Sequence, residues 1–212
     1  MLYYDEIFLS IQGESSDTGL PCIFIRLFGC PIGCSYCDQP QKPENKKKTS
    51  VGKIINKVTK FKNVKNICIT GGEPLIYQEV LPLTWELMSM GYKVSIETSG
   101  CVAIPIESYK RSFKYVMDIK CPSSGVSHKN IFENLIHLQR NDEVKFVIAN
   151  REDYDYMKMV LKKYPTSASI LLSPMFNKEG KVMIGKKLVN WVLEDKLNVR
   201  IQIQLHKILG VM

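Results

Sequence analysis

IFIRLFGCPIGCSYCD, residues 23–38, decides the architecture: an apolar, β-rich run ends at a glycine and is followed at once by three thiols within eight positions. A short apolar run of this kind, bounded by Gly, reads as a buried strand. In a doubly wound sheet that binds a dinucleotide, the turn after the first strand carries GxGxxG, which lets the backbone approach a pyrophosphate. That pattern is missing here. Gly29, Pro31 and Gly33 instead favour a folded loop that can turn Cys30, Cys34 and Cys37 toward one centre.

Working outward, β-rich runs recur at 66–70, 92–98, 113–120, 143–149, 168–173 and 198–205. Helical segments are expected at about 76–90, 105–111, 129–139, 153–163 and 185–195, and an earlier one runs from a Thr49 or Ser50 cap through Phe61. Intervals of roughly 22 to 30 residues suit βα units, which demand a mostly parallel sheet with helices outside it. With IFIRLF as the first, seven parallel strands are expected, fewer than the eight of a closed barrel. The expected fold is α/β, a partial (open) (β/α) barrel formed as one domain over residues 1–212 and completed at an edge by an N-terminal hairpin, DEIFLSIQG with PCIFIRLFG. A doubly wound sheet is the competing architecture.

The composition narrows the function classes. The 212 residues are 45% hydrophobic, ordinary for a globular protein. There is no apolar run near 18 residues and no basic-then-apolar leader, so neither a membrane span nor export is expected, and the cytoplasm is the expected location. Seven cysteines, an odd number, argue against a disulfide framework. The formal charge of +8 is compatible with nucleic acid or anionic ligands, but the densest basic segment, Lys42–Lys53, lacks the interleaved aromatics of a nucleic-acid groove.

Chemistry-bearing residues gather at the ends of the expected strands. Three thiolates suit an iron–sulfur cluster with one iron left open, whereas tetrahedral zinc needs a fourth ligand, for which His128, His137 and Asp38 are candidates. ITGGEP, 69–74, places Gly71 and Gly72 at a close approach, with Glu73 as an acceptor for an ammonium; a simple turn is the plainer reading. IETSG, 96–100, offers Glu97, Thr98 and Ser99, either to a ligand or as turn caps. In MDIKCPSSG, 117–125, Asp118 and Lys120 share one side of a strand, while Cys121 is not read as a cluster ligand. Lys145 lies inside an apolar run and must either snorkel or meet an anion. Ser173, Gln204, His206 and Lys207 follow later strands. Ligands of parallel α/β architectures bind beyond strand C-termini, so this bias marks a site.

CPIGCSYC resembles the CxxxCxxC signature of the radical S-adenosylmethionine (SAM) superfamily. The resemblance implies a [4Fe–4S] cluster on Cys30, Cys34 and Cys37 that binds SAM and cleaves it reductively to a 5′-deoxyadenosyl radical. Tyr36, Gly71, Gly72, Glu73, Thr98, Ser99, Lys120 and Ser173 would then serve SAM. SIQGE at 10–14, together with TGGEP, ETSG, KCPSSG, VKFVI and the terminal QLHK, is similar to the 7-carboxy-7-deazaguanine synthase family over essentially the whole chain.

That likeness implies conversion of 6-carboxy-5,6,7,8-tetrahydropterin to 7-carboxy-7-deazaguanine with release of ammonia. Gln12, Glu14, Arg26 and His206 would face the substrate. Their plainer readings are a turn cap for Glu14, a sheet-edge ion pair for Arg26 and a surface position for His206. The likeness also implies a homodimer, an external electron donor such as flavodoxin or ferredoxin, and Mg²⁺; Gln39 stands where the family commonly has Thr. Two other functions compete: a radical SAM activase of a glycyl-radical enzyme, and a non-enzymatic zinc or nucleic-acid module.

Overall fold

The computed structural model describes residues 1–37, 39, 42–109, 111–177 and 179–211. The chain opens with an antiparallel pair, β1 (Leu2–Ile11) and β2 (Pro21–Leu27), which realises the expected hairpin. Six later strands run parallel to β2: β4 (Asn66–Gly71), β5 (Lys93–Thr98), β6 (Lys114–Ile119), β7 (Glu143–Ile148), β8 (Ser169–Pro174) and β9 (Arg200–Ile201). A short strand β3 (Lys47–Thr49) pairs with β1 at the outer edge, so the sheet runs β3-β1-β2-β4-β5-β6-β7-β8-β9. This edge strand lies within the basic Lys42–Lys53 segment, which carries no strand pattern in the sequence. No ladder joins β9 to β3 among the described residues, so the α/β barrel is open.

Helices α1 (Val51–Val58), α2 (Val80–Ser89), α3 (Arg151–Lys163) and α4 (Gly185–Glu194) cover one face of the sheet. That face is apolar because alternation along each strand sends Ile23 and Ile25, Ile67 and Ile69, Val94 and Ile96, Tyr115 and Met117, and Val144 and Phe146 the same way, into one core. Each fully buried aliphatic side chain there contributes about 1.5–3 kcal/mol. The other parity carries Phe24 and Arg26, Cys68 and Thr70, Ser95 and Glu97, Asp118, Lys145, and Ser173. A face this polar, on strands whose opposite face is fully apolar, is built to meet something other than helices.

Three expectations need correction. The helices read at 105–111 and 129–139 are only short 3₁₀ turns, Ile106–Ser108, Ser127–Lys129 and Phe132–His137. Side chains replace the helical ladder there. Asn134 accepts from Ile104 N (2.9 Å) and donates to the carbonyls of Gly100 and Val102, and Asn130 bonds both backbone groups of Lys120. The last strand, read over 198–205, is two residues long and gives way to a short helix, α5 (Leu205–Leu209). No described helix is long and apolar enough to cross a membrane.

Near the N-terminal ends of β6 and β7, Arg111 and Asp142 form an ion pair with side chains 1% and 0% exposed. Asp142 also accepts from Tyr115 N (2.8 Å) and Gln139 N (2.6 Å), and the guanidinium lies over the Tyr115 ring. Removing one partner of such a pair strands a buried charge. Arg111→Ala is expected to lower the unfolding free energy by about 3–5 kcal/mol in urea denaturation. A loss below about 1 kcal/mol, the worth of an exposed pair, would contradict this account.

Candidate active site

The thiol loop leaves the C-terminal end of β2 and is clamped from both sides. On the β4 side, Gly72 N donates to Leu27 O and Glu73 N to Gly29 O (2.8 Å), while the Tyr77 hydroxyl donates to Phe28 O (2.5 Å). Gly71 (φ +128°) and Gly72 are required by this approach. A Cβ at Gly71 would collide with the Leu27 backbone, and one at Gly72 with Gly29 O, while coming to 3.0 Å of Cys30 Cβ. On the other side the turn Pro122–Ser124, the PSSG of the sequence reading, receives Ser35 N at Ser124 O (3.0 Å) and Ser35 Oγ at Ser123 O (2.8 Å). Asp153 in α3 holds that turn through Ser123 N.

Within this frame Cys30 and Cys37 are exposed and Cys34 is half-buried, all as free thiols. Burial pushes the Cys30 and Cys34 thiols up; for Cys34, the nearby Lys120 ammonium acts in the opposite direction. Among the described residues no three His, Cys, Asp or Glu side chains converge at ligation distance. The donor chemistry nevertheless fits an iron–sulfur cluster: three accessible or half-accessible sulfurs lie on one clamped loop. Cys121 lies in the apolar core and takes no part. His137 stacks on Tyr109, with ring centroids 4.1 Å apart. Gln39 is exposed, and Asp38 lies outside the described residues.

Glu73 differs from its sequence reading. It is fully buried, and its carboxylate already accepts from Leu75 N, Thr98 Oγ1 (2.8 Å), Ser99 N (2.8 Å) and Ser99 Oγ (2.5 Å). In this arrangement its carboxylate ties the β4 and β5 ends together. Thr98 and Ser99 are buried as its donors.

SIQGE and QLHK, far apart in sequence, meet. Leu205 N donates to Gly13 O (2.9 Å), and a Cβ on Gly13 would fall on the His206 ring. Gln204 and Lys145 both donate to Glu14, Glu14 N donates to Gln12 Oε1 (3.2 Å), and Gln12 Nε2 donates to Glu97 (3.3 Å), which also accepts from Thr70 Oγ1 (2.8 Å). Asp118 lies 3.1 Å from both Lys145 and Lys120. A continuous polar row thus crosses the inner face from Glu14 to Lys120. Arg26 pairs through Nε with Glu6 (3.2 Å), its neighbour in register on β1, and lies over Phe8. The sheet ion pair is therefore present, and the two terminal nitrogens are the ones a carboxylate would meet.

Among the described residues, several buried polar atoms on or beside this face have no hydrogen-bond partner: Tyr36 OH, Asp118 Oδ1 and Ser173 Oγ. Orphans of this kind cost free energy unless a ligand or water satisfies them. Thr70 was missed by the sequence reading, although it shares strand parity with Cys68. Also missed was the seal at the N-terminal end of the strands, where Lys114 binds Asp17 (2.5 Å), Glu143 (3.2 Å) and Ser16 (3.0 Å). Gln202 fastens the same β1–β2 connection through Ser15 N (2.8 Å) and Ser15 O (2.5 Å).

An open (β/α) barrel with a three-thiol loop after its first parallel strand is the architecture of the radical SAM superfamily, whose family model matches residues 24–122. The relatives carry the assignment further. A 7-carboxy-7-deazaguanine synthase of Koribacter versatilis is 38% identical over 95% of this chain and 94% of that protein, and one from Methanospirillum hungatei is 38% identical over 97% and 84%. The crystal structure of QueE from Escherichia coli superposes with a TM-score of 0.77 at 24% identity, covering 97% of this chain and 94% of that one, a likeness of fold. The chain belongs to the 7-carboxy-7-deazaguanine synthase family.

Proposed function

We propose that the chain converts 6-carboxy-5,6,7,8-tetrahydropterin to 7-carboxy-7-deazaguanine with release of ammonia, in the route to queuosine. The observation that carries this reading is the meeting of residues 12–14 with 204–206 on a polar inner face. Neither a protein-activating radical enzyme nor a zinc module calls for that meeting of the two segments. When bound, the cluster and SAM supply a 5′-deoxyadenosyl radical.

The chain's own residues bind, orient and shield. Cys30, Cys34 and Cys37 hold the cluster from the clamped loop. Lys120, which pairs with Asp118, would meet a cofactor carboxylate, and the orphaned hydroxyls of Tyr36 and Ser173 would take its polar groups. Glu73, with Thr98 and Ser99, keeps the β4 and β5 ends rigid beneath it. Glu14 and Gln12 accept from the pterin's amine-bearing edge, the terminal guanidinium nitrogens of Arg26 take its carboxylate as a bidentate pair, and His206 closes over it from α5. The ion pairs of Lys114 with Asp17 and Glu143 tie the lower ends of the strands to the β1–β2 connection. Gln39 is the candidate Mg²⁺ ligand, its amide oxygen being a suitable hard donor.

The same reading makes residues 1–212 one catalytic domain, working as a homodimer in the cytoplasm with an external one-electron donor such as flavodoxin or ferredoxin. Anaerobic incubation of the reconstituted protein with SAM, reductant and the carboxytetrahydropterin, with and without Mg²⁺, is expected to yield the deazapurine and ammonia. Radical formation without that product would overturn the substrate assignment. Arg26→Gln is expected to bind SAM and iron normally while losing roughly 100-fold or more in kcat/KM for the pterin, the worth of a buried bidentate carboxylate contact. Parallel loss of iron would instead place Arg26 in the scaffold.

A further inference from the structure

Lys145 projects from the middle of β7 into the inner face and is only 9% exposed. Its ammonium meets Glu14 directly and Asp118 at 3.1 Å. Glu14 is thereby held at both oxygens, Oε2 by Lys145 and Oε1 by Gln204. Each carboxylate oxygen has two acceptor directions, so this arrangement leaves one on each oxygen for a ligand. One acceptor direction on each oxygen is what a heterocycle edge with two adjacent N–H groups requires.

Resting on the function proposed above, we propose that Lys145 is a positioning residue for substrate: it fixes the Glu14 carboxylate as a paired acceptor and so determines selection of a pterin over its 2-oxo analogue. The charges support this role. Glu14 is faced by Lys145 from β7, Asp118 from β6, Gln204 at the start of α5 and Gln12 from its own segment, with His206 beside Gly13 and Glu97 reached through Gln12. Burial alone would raise the Glu14 carboxyl; the Lys145 ammonium and hydrogen bond hold it below the usual range. Lys145 in turn stays charged because Asp118, Glu14 and Glu97 outweigh its own burial. Without this ammonium, Glu14 would be a buried carboxyl near two other carboxylates and would take up a proton as pH falls. A protonated carboxyl presents O–H on one oxygen, the wrong pattern for a ligand that only donates.

The test uses the reconstituted holoprotein with 6-carboxypterin, an unreactive aromatic analogue, and 6-carboxylumazine, in which an oxo group replaces the 2-amino group. Dissociation constants are measured beside SAM affinity, iron content and turnover. Wild type is expected to prefer the carboxypterin with an affinity flat from about pH 6 to 7, below the ionisation of the pterin's own N3–H. Lys145→Met is expected to weaken carboxypterin binding roughly 30-fold or more, the scale for stranding one member of a buried charge pair, and to collapse the preference over the lumazine. Its residual binding falls further as pH drops toward 6, since Glu14 must be ionised.

Lys145→Arg, which keeps the cation, is expected to restore most of the preference. If the Met variant keeps the wild-type selectivity, the assignment to Lys145 is overturned. If it also loses SAM and iron, the Arg variant decides: full SAM binding with the preference lost sinks the proposal, and a retained preference upholds it. A wild-type enzyme that neither binds the carboxypterin nor turns over the tetrahydro form refutes the substrate reading instead.

Discussion

Cys34→Ala is expected to yield a folded chain that holds no four-iron cluster and gives neither SAM cleavage nor deazapurine above background. Cys34 is the middle thiol of the loop and lies next to Ser35, whose backbone and hydroxyl fasten the loop to the turn after β6. The other two thiols cannot replace it, because a site-differentiated cluster needs three sulfurs from this loop and every other described cysteine lies outside it. The fold should survive, since the half-buried Cys34 is not part of the apolar core. Iron and sulfide per chain after anaerobic reconstitution, with far-UV dichroism as the folding control, check this. Wild-type iron content with normal SAM cleavage would remove the cysteine loop from the chemistry.

Gly72→Ala is expected to be nearly as damaging, although it adds a single methyl. That methyl would overlap Gly29 O and come to 3.0 Å of Cys30 Cβ. Neither neighbour can yield cheaply, because Gly29 O is held by Glu73 N and the Phe28 carbonyl by Tyr77. Overpacking of this kind costs about 1–3 kcal/mol, and here the strain falls on the residue that carries the first thiol. The apo-protein should lose several degrees in Tm, and reconstituted iron should fall well below the wild-type value. An unchanged Tm with full iron loading would show that the close approach is not required.

Much of this was legible in the sequence because it rests on periodicity and on glycine chemistry. IFIRLF, NICIT and EVKFVI alternate such that one parity is aliphatic, and the seven parallel strands follow from their spacing. The N-terminal hairpin was readable from two β-rich runs around ESSDTGLP. The connectors after β5 and β6 were not, because Asn130 and Asn134 satisfy backbone groups over distances a local pattern cannot reveal. In the site, the strand-end bias located the residues but not their employment. Glu73 was read as an open acceptor because the sequence does not show that Thr98 and Ser99 reach it from the next strand. Arg26 was read both as an ion pair and as a carboxylate holder, and the register with Glu6 supplies the first without preventing the second. The seal of Lys114, Asp17 and Glu143 joins three segments whose charges look like ordinary surface residues when read singly.

The junction of Gly13 with Leu205, and of Ser15 with Gln202, has a consequence for how the molecule comes into being. Glu14 is translated 190 residues before its partner Gln204. The thiol loop can meet its β4 clamp long before the pocket's two ends join, since such long-range pairings form last. A nascent chain therefore cannot complete the Glu14 acceptor until residues 202–205 have emerged, so the thiol loop is in place before the substrate side of the site.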